Sequence, residues 1–287
     1  MNKHLPAIAA AITGILVGAA LVATRFVIGQ TSPVALALLR YLIGFACLLP
    51  PLLLSARVRF EQRDQLPIAL LGITQFGVVI ILLNYAVQSI PSGRAALIFA
   101  TVPLITMLLA AALGHERVTP RKALGVLATI VGVGLVLGEP ALQPGGAGNQ
   151  WLATLAVLAS AACAALCSVL YRPYLRKYPT LSVSAFAMLA AVLALALVAA
   201  GEGFFSAPPH FTPAGWLAVG FIGVSSGVGY YLWLWALNYT TATSVTVFLS
   251  LSPVSATILG ALALAEMPSS ITLLGLVCVA LGIWLAQ

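Results

Sequence analysis

Apolar stretches of roughly 20 residues alternate with short polar breaks along the whole chain, at 5–27, 33–54, 66–89, 93–113, 121–138, 151–171, 182–201, 213–238, 241–264 and 270–286. Each is close to the length an α-helix needs to cross the hydrocarbon core. The breaks carry loop punctuation: Thr31-Ser32-Pro33, Arg57 to Asp64, Pro91-Ser92-Gly93, Pro140 to Asn149 and Ala207-Pro208-Pro209-His210. The stretches are continuously apolar instead of alternating, which predicts helices and excludes membrane strands, because only a helix satisfies its own backbone within one segment in lipid. The first stretch lacks a small-residue cleavage site followed by a polar start, so it reads as the first helix and not as a cleaved signal peptide. The pattern predicts an all-α integral membrane protein with ten transmembrane helices.

The pattern also repeats. A shift of 150 (253 − 103) lays Pro103 on Pro253, Glu116 on Glu266, Gly125 on Gly275 and Gly132 on Gly282 without a gap. Leu83-Asn84-Tyr85 recurs as Leu237-Asn238-Tyr239, four residues out of that register. Residues 1–138 and 151–287 are therefore read as two five-helix units, with the Gly- and Pro-rich loop 139–150 as their linker. An odd number of spans per unit inverts the second copy. A doubled unit in so apolar a chain is the mark of a transporter with its site where the copies meet.

Composition agrees: 62% of residues are hydrophobic and 7% charged, with a net charge of +7. Mean hydropathy is +1.11, outside the range of water-soluble domains. Of the 13 Lys and Arg, ten fall at breaks sharing one side: Lys3, Arg57, Arg59, Arg63, Arg117, Arg121, Lys122, Arg172, Arg176 and Lys177. The other side keeps Arg25 and Arg94. The positive-inside rule then puts both termini in the cytoplasm. No nucleic-acid partner is expected; the partners are the lipid bilayer and a small-molecule substrate.

All six acidic residues (Glu61, Asp64, Glu116, Glu139, Glu202 and Glu266) and all three histidines (His4, His115 and His210) lie outside the apolar stretches or at their ends. A membrane interior without carboxylate or imidazole disfavours a proton relay, a cation pump and an intramembrane enzyme. No metal and no cofactor is expected. Cys163 and Cys167 share a helix face but have no His or acid beside them, so packing is the reading there. The glycines around 132–134 and 223–229 lie inside helices and read as close packing rather than a nucleotide loop.

The run from Pro103 to Glu116 followed by Gly125 and Gly132, and its echo from Pro253 to Glu266 followed by Gly275 and Gly282, resemble the EamA-type drug/metabolite transporter superfamily. The resemblance covers nearly the whole chain, and its specificity lies in order, spacing and duplication. Within it, Asn84-Tyr85-Ala86 and the run from Trp233 to Tyr239 are most similar to bacterial amino-acid exporters of the YddG type. The resemblance implies a monomeric secondary carrier of the bacterial inner membrane that works by alternating access. It also implies a central cavity walled mainly by the stretches at 5–27, 66–89, 93–113, 151–171, 213–238 and 241–264. The small multidrug branch relies on a glutamate in its first helix, where this chain reads Thr13-Gly14-Ile15.

Pro103 and Pro253 sit near the middle of their stretches, where each removes a backbone donor and predicts a kink. They are read either as packing or as paired gating kinks. The candidate substrate-binding residues are Gln75, Phe76, Asn84, Thr101, Tyr230, Trp235, Ser244 and Ser252. An amide at membrane depth needs a partner, so Gln75 and Asn84 serve either as interhelical glue or as substrate contacts. Trp233 and Trp235, two residues apart, cannot share a face, and Trp235 is the one expected at the cavity. Arg40 is the one charge inside a span; it either snorkels to the outer surface or meets a substrate carboxylate. The expected cargo is a small neutral or zwitterionic metabolite, amino acids foremost, including aromatic and other large neutral ones. The alternative is a carrier of the same architecture for a nucleotide sugar, a purine or an amphipathic drug.

Overall fold

The computed structural model describes residues 5–55, 58–114 and 147–286, together with 119–121, 123–125, 127–128, 131–132 and 135. Among these residues every regular element is a helix. Eight are long and apolar enough to cross a membrane: α1 Leu5–Gln30, α2 Pro33–Leu53, α3 Gln62–Ala86, α4 Ser92–Ala112, α5 Gln150–Lys177, α6 Thr180–Gly201, α7 Pro213–Tyr239 and α8 Ala242–Leu264. A ninth, α9 (Ser270–Ala286), is 17 residues long. Half of the expected helix at 121–138, residues 139–146 of the expected linker 139–150 and Glu116 lie outside the described residues, and the linker's last residues, from Ala147, are helical.

Local signals set the helix ends. Ser32, Thr212 and Thr241 each accept a backbone N–H from three residues on, at 3.1, 3.1 and 3.2 Å, and so cap α2, α7 and α8. Pro33 and Pro213 follow two of these caps at the first helical position, where their missing N–H costs nothing. Leu54, Leu262 and Met267 are 90%, 79% and 80% exposed, so the outer surface of the bundle is apolar, as lipid requires.

Bonds between connections sort the helix ends into two sides. On one, Ser32 donates to Glu202 at 2.6 Å, Gln30 accepts from the Thr212 N–H at 3.0 Å, Arg94 donates to Gln150 at 3.1 Å and Arg25 pairs with Glu266 at 3.3 Å. On the other, Lys177 pairs with Glu61 at 2.6 Å and with Asp64 at 2.7 Å, and Arg172 donates to the Thr240 carbonyl at 3.2 Å. α1 to α4 thus alternate in direction, as do α5 to α8, while α4 and α5 both start on the first side, and the two Arg-rich breaks at 59–63 and 172–177 share a side.

The first and second units interleave. α1 packs on α7 and α8, α2 on α7 and α6, and α4 on α8. At the α2–α7 crossing a Cβ on Gly227 would lie 2.7 Å from the Gly44 carbonyl oxygen, so the backbones meet there without side chains between them.

The spans that carry Pro103 and Pro253 are both broken. α4 is helical over Ser92–Phe99 and again over Val102–Ala112, with Pro103 in the first turn of the second piece. α8 is helical over Ala242–Val247, passes through a 3₁₀ turn at Phe248–Leu251 and resumes at Ser252, with Pro253 again in the first turn. Thr101 bridges the first break by donating its hydroxyl to the Ile98 carbonyl at 2.9 Å. A third irregularity has no counterpart in the sequence reading: α3 carries a π-helical stretch at Ile73–Val78, which re-aims the side chains at Gln75 and Phe76.

Candidate functional site

A cavity of about 90 Å³ lies where the two units meet. α1 contributes Thr13 and Leu16, α2 Arg40 and Tyr41, α3 Gln75 and Val79, α4 Phe99, α7 Ser225, Ser226, Tyr230 and Trp233, and α8 Leu249. Pockets that enclose small molecules span about 300–1,000 Å³. In this conformation the cavity has room for several waters, and a metabolite requires its walls to part.

Arg40 is 8% exposed and points into this space. Its Nε donates to Ser226 Oγ at 2.6 Å, and its guanidinium carbon lies 5.5 Å from the centroid of the Tyr41 ring. Ser226 donates its own proton to the Ile222 carbonyl, which leaves its lone pairs for Arg40. Among the described residues no carboxylate pairs with Arg40 and no acidic side chain lines the cavity. An aromatic train runs along the wall through Phe76 behind it: Tyr41 to Phe76 at 4.7 Å, Phe76 to Tyr230 at 4.2 Å and Tyr230 to Trp233 at 5.5 Å between ring centroids.

Several buried polar atoms at or beside the cavity have no hydrogen-bonded protein partner: Gln75 Oε1, Trp233 Nε1 and the hydroxyls of Tyr230 and Tyr171. The two tyrosine hydroxyls approach each other, but their geometry falls short of a hydrogen bond. Unpaired polar groups in such surroundings are costly unless water or a ligand meets them. The lining thus offers one cation, several neutral donors and acceptors, and apolar walls.

The family model for EamA-like transporters matches residues 4–138 and, a second time, 151–286. The chain belongs to the EamA-like transporter family. It is a multi-pass membrane transporter and not an enzyme. It is similar to a probable terminal-alkyne amino-acid exporter of Streptantibioticus cattleyicolor, 30% identical over 219 residues that cover 76% of this chain and 71% of that protein. An uncharacterized transporter of Archaeoglobus fulgidus is 27% identical over 269 residues, 93% of each chain. The uncharacterized inner membrane transporter YedA of Escherichia coli is 30% identical over 234 residues, 79% of this chain and 72% of that one. A solved crystal structure, 24% identical, superposes with a TM-score of 0.75 over 97% of this chain and 95% of the other, a likeness of fold alone.

Against this family background, the transporter's cavity gathers some of the expected residues and leaves others out. Gln75, Tyr230 and Arg40 line it. Arg40 does not snorkel to the helix ends: Glu202 and Glu266 there bond to Ser32 and to Arg25 with Ser92 instead. Phe76 sits one layer back, 1% exposed, and buttresses Tyr41 and Tyr230. Asn84 is not at the cavity; its amide donates to the Pro33 carbonyl at 2.9 Å and ties α3 to the start of α2. Ser244 is likewise away from it, inside the α8 cap, 2.7 Å from the Thr241 hydroxyl. Thr101 and Ser252 belong to the two helix breaks, beside Pro103 and Pro253.

Trp235 stacks on Tyr239 at 4.9 Å near the end of α7, and Trp233 takes the cavity position expected of it. The signal for this was available: Ser226, Tyr230 and Trp233 are spaced four and three apart and so share one face of α7 with each other, not with Trp235. Ser225 and Thr13 are further lining residues that the sequence reading assigned no role. Thr13 donates to both Ala9 and Gly229 carbonyls, at 2.9 and 3.0 Å, and pins α1 to α7.

Proposed function

We propose that this transporter is a secondary carrier for small carboxylate-bearing metabolites, amino acids foremost, exporting them across a bacterial inner membrane by alternating access between two inverted five-helix units. The observation that carries the cargo assignment is Arg40, a buried guanidinium facing the cavity with a hydroxyl and a ring as its partners. A guanidinium at membrane depth with no protein carboxylate calls for an anionic group from elsewhere, and a carboxylate matches its fork. Gln75 Oε1 and the Tyr230 hydroxyl are neutral acceptors for an ammonium, while Trp233, Phe99 and Leu249 wall off an apolar side chain. The relative from Streptantibioticus named as an amino-acid exporter points the same way.

Ten spans and inversion draw support from the side assignments. α4 leaves the side that holds Ser92 and Glu266, yet Gln150, at the start of α5, is held by Arg94 on that same side. This supports a return across the membrane by the expected span at 121–138, and with it a second unit that begins on the side opposite to the first. The concentration of Lys and Arg on the other side supports the reading of that side as cytoplasmic. That helices of one chain line the cavity supports transport by a monomer.

The test is stabilisation of the purified protein by unlabelled ligands. Phenylalanine, leucine and other large neutral amino acids are expected to raise its melting temperature, and their methyl esters are not. Equal stabilisation by ester and free acid would remove the carboxylate from the site.

A further inference from the structure

We infer that the cavity reads the carboxylate of its substrate and not the amino group, and hence that it also carries monocarboxylate anions of similar shape, such as aryl- or alkyl-alkanoates and 2-oxo acids. This rests on the assignment of Arg40 as the carboxylate partner. Amino-acid sites that demand a zwitterion need something for each end. Here the two ends are treated unequally. Arg40 supplies a full charge for the anion, whereas among the described residues no Asp, Glu or His lines the cavity to meet an ammonium. The described acids are committed elsewhere: Glu61 and Asp64 to Lys177, Glu202 to Ser32, and Glu266 to Arg25 and Ser92.

An ammonium in this space meets only neutral acceptors and lies within range of the Arg40 charge, which opposes it. Gln75 Oε1 and the Tyr230 hydroxyl tolerate it without rewarding it strongly. Removing the amino group therefore costs little, removing the carboxylate charge costs nearly everything, and a net cation is excluded.

A second consequence concerns energy. A zwitterion crosses without moving net charge, but a monocarboxylate anion carries one. An inside-negative potential then drives the anion outward, with an accumulation ratio of about 50-fold per 100 mV at equilibrium. Export of such anions needs no proton-relaying carboxylate in the cavity, in keeping with a lining that has none among the described residues.

The experiment uses proteoliposomes with protein-free liposomes as the background for passive diffusion. Three ligands of one shape are compared, phenylalanine, 3-phenylpropanoate and phenylalaninamide, with leucine, 4-methylpentanoate and leucinamide as a second set. Each is assayed for competition with labelled amino acid and for current on a solid-supported membrane. The expectation is that each des-amino acid competes within about threefold of its amino acid and gives a current, that the amino acid is carried without current, and that the amide does neither. Arg40→Gln abolishes both competition and current, and Arg40→Lys, which keeps the charge, retains the same preference order. Amino-acid transport that depends on Arg40 but ignores the des-amino acids would overturn this inference while leaving the carboxylate assignment intact. Wild-type behaviour in Arg40→Gln at equal abundance would overturn both.

Discussion

The two units agree in their backbone breaks and differ in the chemistry they bring to the cavity. α4 and α8 are each interrupted just before a proline, at positions related by the repeat. The start points of the family matches differ by 147 (151 − 4), which carries Arg25 onto Arg172. Arg25 donates to the Gln88 carbonyl at 2.8 Å after α3, and Arg172 donates to the Thr240 carbonyl at 3.2 Å after α7, on the opposite side. The lining does not follow this symmetry. The first unit brings Arg40 and, through the π-helical stretch of α3, Gln75; the second brings Ser225, Ser226, Tyr230 and Trp233 on an unbroken α7. In the proposed inverted arrangement, parts that move in both halves have to match, since the two states exchange the conformations of the halves. Parts that grip a substrate, which has two unlike ends, have to differ.

Among changes outside Arg40, the largest expected effect is at Trp233. Trp233→Ala should weaken substrate binding at least about tenfold, because it removes an aromatic wall of the cavity. Trp235→Ala, which disturbs only the stack on Tyr239, should stay within about twofold. Titration of both variants with labelled substrate decides between the faces of α7.

Next come the prolines. Pro103→Ala and Pro253→Ala should each slow transport about threefold to tenfold while binding changes less than twofold, since a straightened helix shifts the conformational equilibrium and touches no lining contact. Comparable slowing in both variants supports matched breaks. A defect confined to one of them would make the other proline a packing residue.

Asn84 and its repeat mate Asn238 sharpen the contrast further. Asn84→Ala should cost about 1–3 kcal/mol of stability and lower abundance, with normal transport per folded molecule, because it strips a buried bond from the Pro33 carbonyl. Asn238, less buried and without a hydrogen bond among the described residues, should tolerate alanine with little change. Thermal unfolding and surface abundance report both.

The smallest effect is expected at the rim that holds Glu61, Asp64 and Lys177. The Lys177 ammonium beside Glu61 holds that carboxyl below the usual carboxylate range. A lowered value in the folded chain means that the contribution is present above the unfolded-chain pKa and lost as pH falls through the lowered one. The pair is exposed, so Glu61→Gln should shift the melting temperature no more than a neutral surface change does, and only above that range of pH.

Much of the fold was legible because lipid leaves few choices: apolar length marked eight of the spans, and Pro103 and Pro253 marked the two breaks. Arg40, Gln75 and Tyr230 were legible as polar or aromatic groups at depth, where each needs a reason. Asn84 and Ser244 lie away from the cavity because a polar side chain in a helix satisfies a neighbouring helix end as readily as a ligand. The π-helical stretch at Ile73–Val78 was not legible, since one extra residue in a turn leaves no mark in composition. Ser225 and Ser226 were hidden in a glycine-rich run whose packing role, at Gly227 against Gly44, is real.

The central claim is that Arg40 holds the substrate's carboxylate. Its most direct test is counterflow of a labelled large neutral amino acid in proteoliposomes containing equal amounts of folded wild-type or Arg40→Gln protein. The account predicts a loss of at least about thirtyfold, corresponding to a charged partner removed from a buried carboxylate, with the melting temperature of the ligand-free protein unchanged or raised because an uncompensated buried charge has gone. Counterflow at the wild-type rate in Arg40→Gln would contradict it.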